Sequence, residues 1–181
     1  MRGRGVNHIE LSVLDYEASV AFYDALFGWL GYMSFSTLDI GYRSTYYMAA
    51  KPFPHSYIGL QPAHSGTKID FAARPVGLHH LALWARSRAE VKAFHTEFLL
   101  PHGLVVTDAP KAYDLYAPGY YAVFFDDPIN GFHLELAHIP RIAPPAAYWR
   151  WWRAMKAEER HHPDWGSIFR KGMRELPRRG P

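Results

Sequence analysis

The sequence predicts an α+β fold: two paired βαβββ modules forming a curved, barrel-like mixed sheet with helices outside, then a C-terminal helical extension. Three observations carry this expectation. The first is internal repetition. Gly5-Val6-Asn7-His8-Ile9-Glu10-Leu11 resembles Gly77-Leu78-His79-His80-Leu81-Ala82-Leu83 at an offset of 72, and Ala21-Phe22 matches Ala93-Phe94 at the same offset. Leu60-Gln61-Pro62-Ala63-His64 matches Leu134-Glu135-Leu136-Ala137-His138 at an offset of 74, a drift that a small loop insertion produces. A two-copy repeat of this length is too long for a solenoid unit and suits a duplicated module. The second is strand-like alternation of apolar and polar residues in the repeated segments. The third is that residues 141–181 match neither copy. The reading is a 1–140 unit, with modules at 5–62 and 77–140, and a 141–181 extension.

The elements follow in order. Residues 6–13 alternate and read as a strand. Residues 15–28 read as an amphipathic helix with Asp15 as N-cap and Gly28 as stop. Strands follow near 32–40 and 42–50 with Gly41 as the turn, and a fourth near 57–62. Residues 63–76 are the linker. The second module repeats the pattern: a strand at 78–85, then a helix at 87–100. Ser87 and Glu90 make a capping box for that helix, and Pro101-His102-Gly103 closes it. Strands near 103–108, 119–126 and 132–138 complete the module. Pro144-Pro145 opens a helix to about Arg160, and His161-His162-Pro163 ends it. A second short helix is expected near 165–176.

Composition bounds the function classes. Apolar residues make up 49% and charged residues 20% of 181, which excludes disorder, collagen and coiled coil as the main class. There is no Cys, so a thiolate zinc site, a Cys nucleophile and a disulfide scaffold are excluded. No apolar run approaches the ~18 residues of a membrane span. Met1-Arg2-Gly3-Arg4-Gly5 runs straight into a strand-like segment, so no signal peptide is expected and a cytoplasmic protein is. The net charge of +3 is unevenly spread: residues 1–140 carry 10 Lys+Arg against 13 Asp+Glu, and residues 141–181 carry 10 against 4.

Alternation also sorts side chains by face. Four strands present one aliphatic face, formed by Ile9, Leu11 and Val13; Ile58 and Leu60; Leu81 and Leu83; and Phe132, Leu134 and Leu136. The opposite faces bear His8, Glu10 and Ser12; Gln61; His80 and Trp84; and His133 and Glu135. If the modules pair with pseudo-twofold symmetry, His8, Gln61, His80 and Glu135 converge on one cavity. Two imidazoles and a carboxylate are good ligands for a divalent ion such as Fe, Ni, Zn or Mn, and three protein ligands leave positions open for substrate. A single strand His is more often a hydrogen-bonded or solvated residue, but the shared module position of His8 and His80 favours ligation. Gln61, a neutral donor, either completes the set or orients a water or substrate. Trp84 and one each of Tyr46/Tyr47 and Tyr120/Tyr121 are expected to line the cavity.

The repeated βαβββ pattern, Val6-Asn7-His8-Ile9-Glu10-Leu11-Ser12-Val13 with Ala21-Phe22-Tyr23, and Asp127-Pro128-Ile129-Asn130-Gly131 before Glu135 resemble the vicinal oxygen chelate superfamily. This is the glyoxalase, bleomycin-resistance protein and extradiol dioxygenase group. The resemblance covers residues 5–140. It implies metal ligands at His8, His80 and Glu135, with Gln61 at the fourth family position. A homodimer is expected, with the modules paired either within one chain or across two. Bacterial glyoxalase I enzymes carry a carboxylate at that fourth position, so Gln61 is a departure. Extradiol dioxygenases and fosfomycin-resistance transferases use His, His and Glu. Extradiol enzymes also carry a Tyr before the Glu ligand, where this chain has Phe124 and Phe125, with Tyr120 or Tyr121 as substitutes.

The chemistry implied is binding of a small substrate, aromatic in one reading, through two adjacent oxygens on the metal. The reaction is a glyoxalase-like lyase or isomerase step or an extradiol-like oxidation. Glu135 is the candidate base, Glu10 its backup, and His133 either a second acid–base group or a wall residue. The alternative is a non-catalytic small-molecule or drug-binding protein of the bleomycin-resistance kind. In the extension, Tyr148, Trp151, Trp152 and Met155 share one helix face. Trp149, Trp151, Trp152 and Trp165 are four of the six Trp. Docking against protein is expected to bury Trp151 or Trp152. A membrane-surface position is the second reading, given Arg150, Arg153, Lys156 and Arg160. No nucleic-acid motif accompanies the charge.

Overall fold

A computed structural model of the chain describes residues 6–39, 41–49 and 55–163. Among these there are eight strands and three α-helices: β1 (His8–Val13), α1 (Tyr16–Leu30), β2 (Tyr32–Asp39), β3 (Arg43–Ala49), β4 (His55–Pro62), β5 (Leu81–Trp84), α2 (Arg88–Ala93), β6 (Val106–Ala112), β7 (Tyr121–Asp126), β8 (His133–His138) and α3 (Pro145–His161). The expected helix at 165–176 and Trp165 lie outside the described residues.

The duplication is explicit in the sheets. One has the order β1-β4-β3-β2 and the other β5-β8-β7-β6. In each, the first strand runs parallel to the fourth and the remaining pairs are antiparallel. The described strands do not close into a barrel. The edge strands β1 and β5 instead line a groove of about 330 Å³, formed by residues 6–9, Tyr32, residues 56–58 and residues 81–84.

Helix ends follow local chemistry. Asp15 accepts from the Ala18 amide at 3.0 Å, as expected of an N-cap. The helix runs through Gly28 to Gly31, whose φ of 75° is open to glycine without strain and lets its N–H reach the Gly28 and Phe27 carbonyls. Ser87 caps α2 through the Glu90 amide at 3.1 Å. Beyond Ala93 the turn widens to π-type bonding over Phe94–Leu99, with Leu100 N–H donating to His95 O.

The aliphatic faces of both sheets form one core. It joins Leu11, Val13, Ile58 and Leu60 to Leu81, Leu83, Leu134 and Leu136, and Trp29 meets Phe94 at 5.0 Å between the helical layers. A buried polar knot ties the modules together. Asp127 is fully buried and accepts from the Tyr23 hydroxyl at 3.0 Å, the Ile129 amide at 2.7 Å and the Asn130 amide at 2.9 Å. The Asn130 side chain donates to Ser19 at 3.1 Å and accepts from the Leu14 amide at 2.8 Å.

Strand register corrects one sequence match. In module one, Glu10 lies across from Gly59 and Ser12 from Gln61; in module two, Ala82 lies across from Glu135 and Trp84 from Ala137. With His8 matched to His80, Gly59 takes the place of Glu135, and Gln61 that of Ala137. The β4-to-β8 offset is therefore 76 (135 minus 59), not 74. A slip of two keeps every side chain on its face, so alternation alone does not detect it.

Candidate functional site

A cavity of about 540 Å³ opens on the polar face of the second sheet. His80, just before β5, and Glu135, on β8, meet there with Nε2 3.3 Å from Oε2. Glu135 is almost completely buried, and its Oε1 accepts from the Tyr120 hydroxyl at 2.6 Å. Burial, reinforced by Glu135, holds the Tyr120 phenol well above its ordinary range, so it stays a donor. Burial outweighs the opposing Glu135 charge and lowers the His80 pKa, which favours the neutral imidazole that can offer a lone pair. Of the Tyr120/Tyr121 pair it is Tyr120 that faces in, while the Tyr121 hydroxyl donates to Pro110 O.

His133 is a buried wall residue of this cavity. Its Nδ1 lies 2.7 Å from Asp126 Oδ1. Its ring stacks on Phe71 at 3.8 Å and lies nearly parallel to Phe124 at 5.5 Å. Phe71 escaped the sequence reading because it sits in the linker. The local signal was Asp70, whose carboxylate accepts from the Ala72 amide and starts the Phe71–Ala73 turn. The outer wall is a stacked pair, Tyr113 on Tyr116 at 5.2 Å, with Tyr120 edge-on to both. Asp108 accepts from Tyr113 and from Lys111, each at 2.6 Å. Partial burial pushes Asp108 up, but those two donors prevail and hold it below the ordinary carboxylate range.

His8 and Glu10 lie elsewhere, in a separate cavity of about 240 Å³ lined also by Leu38, Tyr46 and Tyr57. There the Tyr46 hydroxyl donates to Glu10 at 2.7 Å. Gly59 makes this pair possible: a Cβ at that position would lie 2.9 Å from the Tyr46 ring and 3.1 Å from Glu10 Cγ. The two modules thus carry half-sites of one composition, imidazole, carboxylate and phenol. Gln61 lines neither cavity; its Nε2 lies 3.5 Å from Ser12 Oγ and its buried Oε1 has no hydrogen-bond partner. Trp84 is 72% exposed and lines the β1–β5 groove rather than the His80 cavity. So one chain brings together His80, Glu135 and His133, and separately His8 and Glu10. The expected convergence of His8, Gln61, His80 and Glu135 does not occur within it, and among the described residues no three potential metal donors cluster.

The His80–Glu135 pair nevertheless fits a cation in donor type and spacing. An imidazole nitrogen and a carboxylate oxygen 3.3 Å apart have the separation expected of two ligands each about 2.1 Å from one ion. Two protein groups are fewer than the three or four that hold such an ion in a protein site. His8, exposed at the start of β1 at the equivalent position of the other module, offers the same kind of donor.

No family model matches the chain, and no curated relative does. Solved structures do match. A Bacillus halodurans protein provisionally designated a glyoxalase shares 27% identity at a TM-score of 0.58, covering 74% of this chain and 95% of its own. A glyoxylase/bleomycin resistance protein/dioxygenase domain from Frankia sp. EAN1pec gives 16% identity and a TM-score of 0.59, over 77% of this chain and all of its own. The fosfomycin resistance protein FosX from Listeria monocytogenes gives 17% and 0.55, over 77% and 97%. Another FosX structure from that organism is complexed with Mn(II) and sulfate. With its two βαβββ units and these neighbours, the chain has the fold of the vicinal oxygen chelate superfamily.

Proposed function

We propose that this protein is a divalent-metal-dependent enzyme acting on a small substrate with two adjacent oxygens, in a site completed by two copies of the chain. The observation that carries the reading is the His80–Glu135 pair, facing across 3.3 Å inside an aromatic-walled cavity. His80 and Glu135 of one copy would hold the ion, and His8 of a second copy would supply the third donor, making the active unit a homodimer. The metal is one of Fe, Ni, Zn or Mn. A bound ion of this kind stabilises negative charge developing on the two substrate oxygens.

The protein's own residues set the rest. Tyr120 occupies Glu135 Oε1 and leaves Oε2 aimed at His80. Asp126 engages His133 Nδ1, which fixes the tautomer and leaves Nε2 as the atom able to take or give a proton. Phe71, Phe124 and Tyr113 line the cavity with aromatic surface, which favours an aromatic substrate over a three-carbon one. Glu10 would arrive with His8 as a carboxylate held by Tyr46. The working unit is 1–140, with 141–181 as an appendage.

Elemental analysis of protein purified without added metal tests this. The expected result is stoichiometric metal in the wild type, lost in both His80→Ala and Glu135→Gln. Iron with catechol-dependent O₂ uptake would assign the dioxygenase branch, and nickel or zinc with thiol-dependent turnover the glyoxalase branch. Metal absent from the wild type, or unchanged in both variants, contradicts the reading and leaves the metal-free binder.

A further inference from the structure

We propose that the His80–Glu135 cavity selects an aromatic ring carrying a protonated amine. The proposal rests on that cavity being the substrate site, and names the substrate's class.

Three observations point there. First, the charged side chains lining the cavity with fixed sign are carboxylates, Glu135 at its floor and Asp108 on its outer wall. Among the described residues no Arg or Lys lines it; its remaining nitrogen groups are the imidazoles of His79, His80 and His133. Away from the proposed ion, a phosphonate or carboxylate group reaching the outer wall would find no Arg or Lys among the lining residues and would face the Asp108 carboxylate. Second, the wall beside Asp108 is built of phenol rings, Tyr113, Tyr116 and Tyr120, set stacked and edge-on at 5.2 to 6.2 Å. Electron-rich faces beside a carboxylate are the chemistry that holds an organic ammonium. Third, the chain already places an ammonium on this wall. Lys111 Nζ lies 5.2 Å from the Tyr113 ring centre and 2.6 Å from Asp108. Lys111 is a half-exposed residue outside the cavity lining, so its hold on Asp108 is weak and displaceable. The volume of about 540 Å³ takes a substituted ring, with the ring against Phe124 and Phe71 and the amine toward Asp108.

The test uses three probes that share a ring, carry no vicinal oxygens and differ in charge: phenethylamine, 2-phenylethanol and phenylacetate. Each is titrated into the full-length, chelator-treated protein at neutral pH by calorimetry. The amine should bind about tenfold tighter than the alcohol, and the acid weakest. Asp108→Asn should erase most of the amine's advantage while leaving the alcohol unchanged. Tyr116→Leu, at an exposed position, should weaken the amine more than the alcohol, and Lys111→Met should strengthen the amine. Phenylacetate binding as tightly as the amine overturns the proposal, as does an unchanged order in both Asp108→Asn and Tyr116→Leu. Because the metal is removed before the titrations, the outcome is separate from metal binding. Mn(II) uptake with the acid preferred sinks this inference alone, and no metal uptake with the amine preferred sinks the enzyme reading alone.

Discussion

Asp127 shows how one residue can hold two modules together. It is fully buried, and its carboxylate accepts from two backbone amides, the Asn130 side chain and the Tyr23 hydroxyl. Tyr23 lies on α1, so this single carboxylate couples the first module to the β7–β8 turn. Asp127→Ala would strand these donors away from water. Unfolding by urea should show a loss of about 3 kcal/mol or more, against about 1 kcal/mol for an average substitution. A loss under about 1 kcal/mol would mean the knot is not structural. The segment from Asp127 to Gly131 stood out in the sequence, but its physical purpose did not, because Leu14, Ser19 and Tyr23 are over a hundred residues away. The same limit applied to Glu10. Alternation placed it on the polar face, yet its link to Tyr46 depends on Gly59 lying between them, and only the strand register reveals that.

At the scale of elements, the local rules read well where the chain's own chemistry decides. Asp15 and Ser87 cap helices as expected. Gly28 did not stop α1, since mid-helix its cost relative to Ala is only about 1 kcal/mol and Gly31 supplies the left-handed turn. Strand β6, expected at 103–108, forms at Val106–Ala112 because it follows its partner β7, with two register shifts that no local pattern encodes. The C-terminal helix α3 turns Ala147 and Met155 inward, leaves Trp151 partly covered and exposes Trp149 and Trp152 by 56% and 51%. Arg153 lies over the Trp149 ring at 4.5 Å. Trp152→Ala should therefore change stability by no more than about 0.5 kcal/mol, and Met155→Ala should cost about 2 kcal/mol. Calorimetric melting of both variants checks this; the reverse order would mean the helix face is misassigned.

For the molecule as a whole, the duplication was legible because a repeat leaves a sequence trace, and the identical strand orders follow from it. The placement of the half-sites was not. The sequence could show which residues share a sheet face, but whether the two faces meet within one chain depends on how the modules pack. Here the aliphatic faces and helices make the shared core, and the His8 and His80 faces line separate cavities. The metal site proposed above would then need a second copy to complete its donor set. Co-expression of two differently tagged chains, His8→Ala and Glu135→Gln, followed by isolation of the mixed dimer, tests it directly. One of its two sites would combine an intact His8 with an intact His80–Glu135 pair, and the other would be doubly damaged. The expected content is about one metal ion per mixed dimer, half that of the wild type, while each variant alone binds none. A mixed dimer as empty as its parents, or a His8→Ala protein that keeps its full metal content, would contradict it.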